Sequence, residues 1–191
     1  ALKECSGITS LRIPDSVTTI EDDAFWGCSG LTSLVIPNKV TTIGANAFRN
    51  CSSLTSISVP DSVESIGTEA FYGCTGMTKI EFHCSSIQNW GFQRKTIKEV
   101  VIGDKVETIG KDAFKDCSGV SKLVLPDSVT KIESGAFFGC TGIKDLKFSK
   151  NLTTIDADAF RNCSGLTSLE IPNKVEKIGT GAFYGCSGLT S

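Results

Sequence analysis

The chain has 191 residues, of which 40% are hydrophobic and 21% are charged, and its formal net charge is −2. This composition excludes a mostly disordered chain, and it lacks the strongly basic charge of a nucleic-acid-binding protein. No apolar run approaches the roughly 18 residues of a membrane-spanning helix, so we expect no membrane insertion. With one histidine, His83, a multi-histidine metal site is disfavoured. Composition therefore predicts a protein that is not an enzyme and has no cofactor, metal or catalytic site.

A 23-residue repeat extends through the whole chain. One coil cannot bury its apolar positions alone, but stacked coils can share a core, so the repeat predicts a solenoid. We expect one repeat domain over residues 1–191, cut from a longer protein, with a partial repeat at each end. The eight complete repeats, the fourth of which is three residues short, are 8–30, 31–53, 54–76, 77–96, 97–119, 120–142, 143–165 and 166–188.

Each repeat predicts the same succession of elements, illustrated here by residues 31–53. Alternating apolar residues at positions four to six (Leu34–Ile36) indicate a half-buried strand, which the proline at position seven ends. Positions ten to thirteen (Val40–Ile43) indicate a second extended stretch. We expect the Ala-Phe pair at positions seventeen and eighteen to lie in a single helical turn. Gly, Asn or Asp at position twenty, here Asn50, favours a left-handed cap after that turn.

Eight cysteines share position twenty-one of the repeat. Coils about 4.8 Å apart would bring them into a file of buried thiols, which is the favoured interpretation. Disulfides between neighbours and a metal site are the alternatives, but parallel side chains and the absence of short cysteine spacings argue against both. The ninth, Cys84, replaces the valine at position ten, and we expect its side chain to point away from that of His83. The eight are Cys5, Cys28, Cys51, Cys74, Cys117, Cys140, Cys163 and Cys186.

The outward positions of the first strand form a candidate partner-binding surface. These positions change from Thr and Ser in the first repeats to Lys and acidic residues from the fourth repeat onward. Residues 77–150 contain 12 Lys/Arg against 9 Asp/Glu, whereas the remainder contains 7 against 12. The alternative is a solvated sheet face on which lysines prevent aggregation. The candidates are Lys79, Glu81, Lys98, Glu99, Lys122, Lys144, Asp145 and Lys147.

Position nineteen supplies a second candidate row, in which aromatic and cationic residues nearly alternate. We expect Arg49 to lie between Trp26 and Tyr72. Structural cation–π stacking, worth about 0.5–1 kcal/mol per exposed pair, is the alternative to a partner site. The row consists of Trp26, Arg49, Tyr72, Phe138, Arg161 and Tyr184, with Gln93 and Lys115 at the two intervening positions.

The short fourth repeat, residues 77–96, departs from the others. It lacks the cysteine at position twenty-one and introduces Trp90. Aligning Ile87 and Phe92 with the other repeats puts two deletions before Ile87 and one after Phe92. The core positions are thereby kept while the turns are trimmed, which predicts a local change of curvature within a continuous core.

The repeat L-x-x-L-x-I-P-x-x-V-x-x-I-G-x-x-A-F-x-x-C-x-x resembles the BspA-like class of leucine-rich repeats, and the likeness covers the whole chain. The resemblance implies a curved solenoid with a parallel β-sheet on its concave face and short helical turns or extended segments elsewhere. It also implies an extracellular or cell-surface location and adhesin-like binding of a host or cell-surface protein or glycan. A structural spacer with no ligand of its own is the alternative.

Overall fold

The computed structural model describes residues 2–92 and 95–190, which wind into a parallel β-solenoid. Most coils contribute one longer and one two-residue strand. The longer strands are β1 (Ser10–Arg12), β3 (Ser33–Val35), β5 (Ser56–Val59), β7 (Lys79–Phe82), β9 (Glu99–Ile102), β11 (Lys122–Val124) and β13 (Asp145–Lys147). The short strands are β2 (Thr19–Ile20), β4 (Thr42–Ile43), β6 (Ser65–Ile66), β8 (Ser86–Ile87), β10 (Thr108–Ile109), β12 (Lys131–Ile132), β14 (Thr154–Ile155) and β15 (Lys177–Ile178).

Strand register follows the sequence repeat. Leu11 pairs with Leu34, 23 residues further on, and every strand pair is parallel. At the short repeat the register shrinks with the chain, since Ile80 pairs with Val100 and Ile87 with Ile109. The long strands form the ladders β1-β3, β5-β7-β9 and β11-β13, and the short strands form β2-β4-β6 and β8-β10-β12-β14-β15. The trimmed residues therefore lie in turns, and the long-strand pairing continues across the short repeat.

The predicted helical turn around the Ala-Phe pair is wrong, because the described residues contain no helix. Alternate N–H groups in this segment donate to different coils. Phe48 N–H donates to the Ala70 carbonyl of the next coil at 2.8 Å, whereas Arg49 N–H donates to Asn46 at 2.9 Å. Positive φ angles at Asn46 (54°) and Asn50 (61°) frame the segment and break any helical run. The left-handed cap predicted at position twenty is confirmed, but the second left-handed position, sixteen, was missed.

The strand predicted in the last complete repeat is also absent, since residues 166–173 contain no described strand. This coil is the last of the stack and has a neighbouring coil on one side only. Leu169 and Ile171 remain packed against the core, so the apolar pattern at positions four and six is kept without the ladder.

Two stacks of phenylalanine rings form the centre of the core. Their ring centroids lie 5.1–5.5 Å apart, and the rings within each stack are nearly parallel: Phe25-Phe48-Phe71-Phe92 and Phe114-Phe137-Phe160-Phe183. Between the stacks, Phe82 contacts Phe92 and Phe114 edge-on at 5.8 and 5.7 Å. Trp90 packs beside Phe82 and is 5% exposed. The short repeat thus fills its core with two large aromatic side chains in a different orientation.

Candidate functional site

The eight candidate residues lie on four neighbouring strands or directly beside them. Because side chains alternate across a strand, β7, β9, β11 and β13 bury their leucine, isoleucine and phenylalanine side chains and direct charged ones outward. We call the outward side of the longer strands the long-strand face. Lys79 and Glu81 are half-buried on this face, and the other six candidates are exposed.

At the N-terminal side of this group, the charges neutralise one another. Lys79 Nζ lies 2.9 Å from Glu99 Oε1 on the neighbouring strand and 3.0 Å from Glu81 Oε1 on its own strand. Hydrogen bonds to Glu99 and then to Glu81 raise the pKa of Lys79 above its ordinary value. His83 Nε2 lies 3.9 Å from the other oxygen of Glu81. This cluster therefore presents little net charge to a partner.

At the C-terminal side, the lysines are less compensated. Lys122 Nζ lies 3.6 Å from Asp145 Oδ2, and both side chains are more than 60% exposed. Ion pairs of this kind contribute little because water screens them. In the described part of the chain, Lys98, Lys144 and Lys147 form no ion pair. The structure thus divides the predicted surface into a neutral cluster and a cationic patch, which we define as Lys98, Lys122, Lys144 and Lys147.

Apolar side chains also belong to this face, although sequence reasoning did not select them as candidates. Val35 on β3 is 74% exposed and Val124 on β11 is 44% exposed. Val124 borders a shallow depression of about 610 Å³ between β9 and β11, where no ladder joins the two strands. We call this depression the β9–β11 groove; its lining includes Lys98, Val101, Lys122, Val124 and Pro126. Valine at position five, where most repeats carry a polar residue, was the available signal.

The second candidate row forms cation–π pairs between neighbouring coils. Arg49 lies over Tyr72 at 4.8 Å and Arg161 over Tyr184 at 4.7 Å. The expected position of Arg49 between two rings is wrong. Lys3 occupies the Trp26 ring at 3.9 Å, and Arg49 instead bonds Glu69 and Asn46. These contacts account for much of the row within the fold.

Elsewhere in the same row, Phe138 lies between Lys115 at 5.1 Å and Arg161 at 5.9 Å. Tyr184 is 65% exposed. Gln93 lies outside the described residues.

The predicted file of buried thiols is confirmed, and no described cysteine forms a disulfide. Each thiol of the file that carries a described bond donates to a backbone carbonyl of the preceding coil; Cys74 Sγ, for example, lies 3.2 Å from the Phe48 oxygen. Burial, with a smaller contribution from the neighbouring Cys51, raises the pKa of Cys74 to about 12. Cys84 is 2% exposed while His83 is half-exposed, so their side chains point apart as predicted.

Within residues 2–92 and 95–190, no group of three His, Cys, Asp or Glu side chains is placed to hold a metal ion. In the same residues, no helix of sufficient length and apolarity to cross a membrane occurs.

Comparison with known proteins identifies relatives of this fold. The family profile described as the BspA type leucine rich repeat region matches residues 1–121 and 108–191, in six copies. A Treponema pallidum leucine-rich repeat protein is 28% identical, with a TM-score of 0.64 over 96% of this chain and 78% of its own. A leucine-rich repeat protein from Bacteroides ovatus is 24% identical with a TM-score of 0.59; all of this chain aligns and spans 61% of that chain.

A third solved structure is described as a leucine rich cell surface protein from Faecalibacterium prausnitzii. It is 26% identical, with a TM-score of 0.50, and the alignment covers 98% of this chain and 54% of the other. No curated protein matches the chain.

Proposed function

Because this chain belongs to the BspA type leucine-rich repeat family, we propose that it is a non-enzymatic recognition module of a cell-surface protein. It binds a protein or glycan through the long-strand face, in the manner of an adhesin. The observation that carries this proposal is the cationic patch, whose exposed lysines lie on consecutive coils and include three without an ion pair. A pure spacer has no need for outward positions that change from Thr and Ser to uncompensated lysine.

The location at a cell surface is supported by the F. prausnitzii protein, which is described as a cell surface protein. The absence of a clustered nucleophile, base or metal-binding group among the described residues gives no starting point for an enzymatic proposal. The face instead offers what a binding module needs: a rigid sheet that holds charged side chains at fixed spacing.

The direct test is binding of the immobilised chain to fibronectin, laminin, heparin and chondroitin sulfate. A triple variant with Lys122→Glu, Lys144→Glu and Lys147→Glu should lose binding roughly tenfold or more, because charge reversal at a complementary surface opposes association. All three side chains are exposed, so the melting temperature should stay unchanged.

A matched control reverses three exposed lysines outside the longer strands, through Lys39→Glu, Lys95→Glu and Lys111→Glu. It changes the net charge equally, so it should retain binding if the long-strand face is the site. Equal losses in both triple variants would mean that net charge, and not this face, governs binding. Failure of every probe to bind the wild-type chain would favour the structural spacer.

A further inference from the structure

The β9–β11 groove combines an aliphatic floor with a break in the long-strand ladder. β9 pairs with β7 and β11 pairs with β13, but no described ladder connects β9 with β11. Val101 and Pro126 are half-buried in the groove, and Val124 is 44% exposed beside them. Exposed aliphatic surface at the bottom of a depression gains free energy when an apolar group covers it.

The charges around this floor are cationic. Lys98 lines one side and has no ion pair in the described chain, and Lys122 lines the other side with a solvent-screened partner in Asp145. Glu99 also lines the groove, but its carboxylate is engaged with Lys79 at 2.9 Å. The groove therefore presents apolar surface flanked by positive charge.

We infer that the β9–β11 groove binds an acidic segment of another protein, with an aliphatic side chain on the valine floor and carboxylates beside Lys98 and Lys122. This inference rests on the proposed function, since it names the partner class for the same face. The hydroxyl and sulfate groups of an anionic glycan would satisfy the lysines but would leave the aliphatic floor uncovered. A peptide that alternates acidic and aliphatic residues satisfies both parts of the groove.

The experiment is selection of a random dodecamer library displayed on phage against the immobilised whole chain. Enriched sequences should contain acidic residues on both sides of a Val, Ile or Leu. An enriched dodecamer, synthesised with a fluorescein label, then serves as the probe in anisotropy titrations, with a heparin octasaccharide as the competitor.

Two variants locate the probe. Val124→Ser removes apolar surface from the groove and should weaken dodecamer binding roughly five- to tenfold. Val35→Ser is the matched control, because Val35 is 74% exposed on β3 and lies outside this groove. It should leave the affinity unchanged. Lys98→Glu should also weaken the dodecamer, and the effect should shrink as salt is raised.

Enrichment without acidic and aliphatic residues overturns the inference, as does equal binding to wild type and Val124→Ser. If heparin binds through the cationic patch but no dodecamer depends on Val124, the inference fails and the proposed function stands. If neither the dodecamers nor the four-ligand panel binds the long-strand face, both fail together.

Discussion

Replacing one thiol of the buried file should change how stability depends on pH. Burial raises the pKa of Cys74 from an ordinary value of 9.0 to about 12, so the folded state keeps a proton that the unfolded state releases. The stabilisation is therefore complete below pH 9 and is lost as pH rises toward 12. Between about pH 9.5 and 11, each such thiol reduces the free energy of unfolding by about 1.3 kcal/mol per pH unit.

The assay is urea unfolding of wild type and Cys74→Ala at several pH values from 8 to 11, with a phosphine reductant present. The variant lacks the titrating group, so its free energy of unfolding should decline less steeply, by about 1.3 kcal/mol per pH unit. Titrating lysines and tyrosines affect both proteins equally and cancel in the difference. Cys51 and Cys163, whose pKa values burial also raises to about 12, should give the same change when replaced.

Val40→Ala is the matched control. Val40 is fully buried and carries no titratable group, so this variant should lose stability at every pH with an unchanged slope. If Cys74→Ala and wild type show the same slope above pH 9.5, the thiol is not held protonated in the folded coil. The argument for a solvent-excluded file would then be wrong.

Three further predictions concern the core and its turns. Phe137→Ala, in the middle of a ring stack, should lower the free energy of unfolding in urea by about 3–5 kcal/mol; a loss under about 1 kcal/mol would contradict the stack. Ellman's reagent should react quickly with half-buried Cys5 and slowly with the other thiols until urea exposes all nine, and fast labelling of most thiols in the folded chain would refute the packing. Asn50 has a φ of 61°, so Asn50→Val should cost about 1–2 kcal/mol more than Asn50→Gly, whereas equal melting temperatures would show that this turn relaxes.

Sequence predicted the coil well because each coil repeats the same apolar positions, and a column of Ile or Phe has one sensible place in a stacked core. It failed where a segment's hydrogen bonds depend on the next coil. The Ala-Phe segment looks helical by composition, yet Phe48 N–H finds its partner in Ala70, 22 residues away. No local pattern signals that choice.

The candidate site was predicted by column and only partly by contact. Alternation identified the outward residues of β7 to β13, because strand periodicity is local. It could not tell that Lys79 is neutralised by two glutamates while Lys98 has no ion pair in the described chain, since side-chain rotamers across neighbouring coils decide those distances. The β9–β11 groove depends on a ladder break that no residue type announces.

The direction of the hydrogen bonds between coils has an electrostatic consequence for the whole array. In the Ala-Phe segment, Phe48 N–H donates forward to the next coil, whereas next to the short strand Gly44 N–H donates backward to Ile20 of the preceding coil. The peptide dipoles of these two segments therefore oppose each other along the solenoid axis. An α-helix accumulates a macrodipole because its dipoles all align. A solenoid with opposed dipoles accumulates none from these segments, so coils can be added without building up charge at either end.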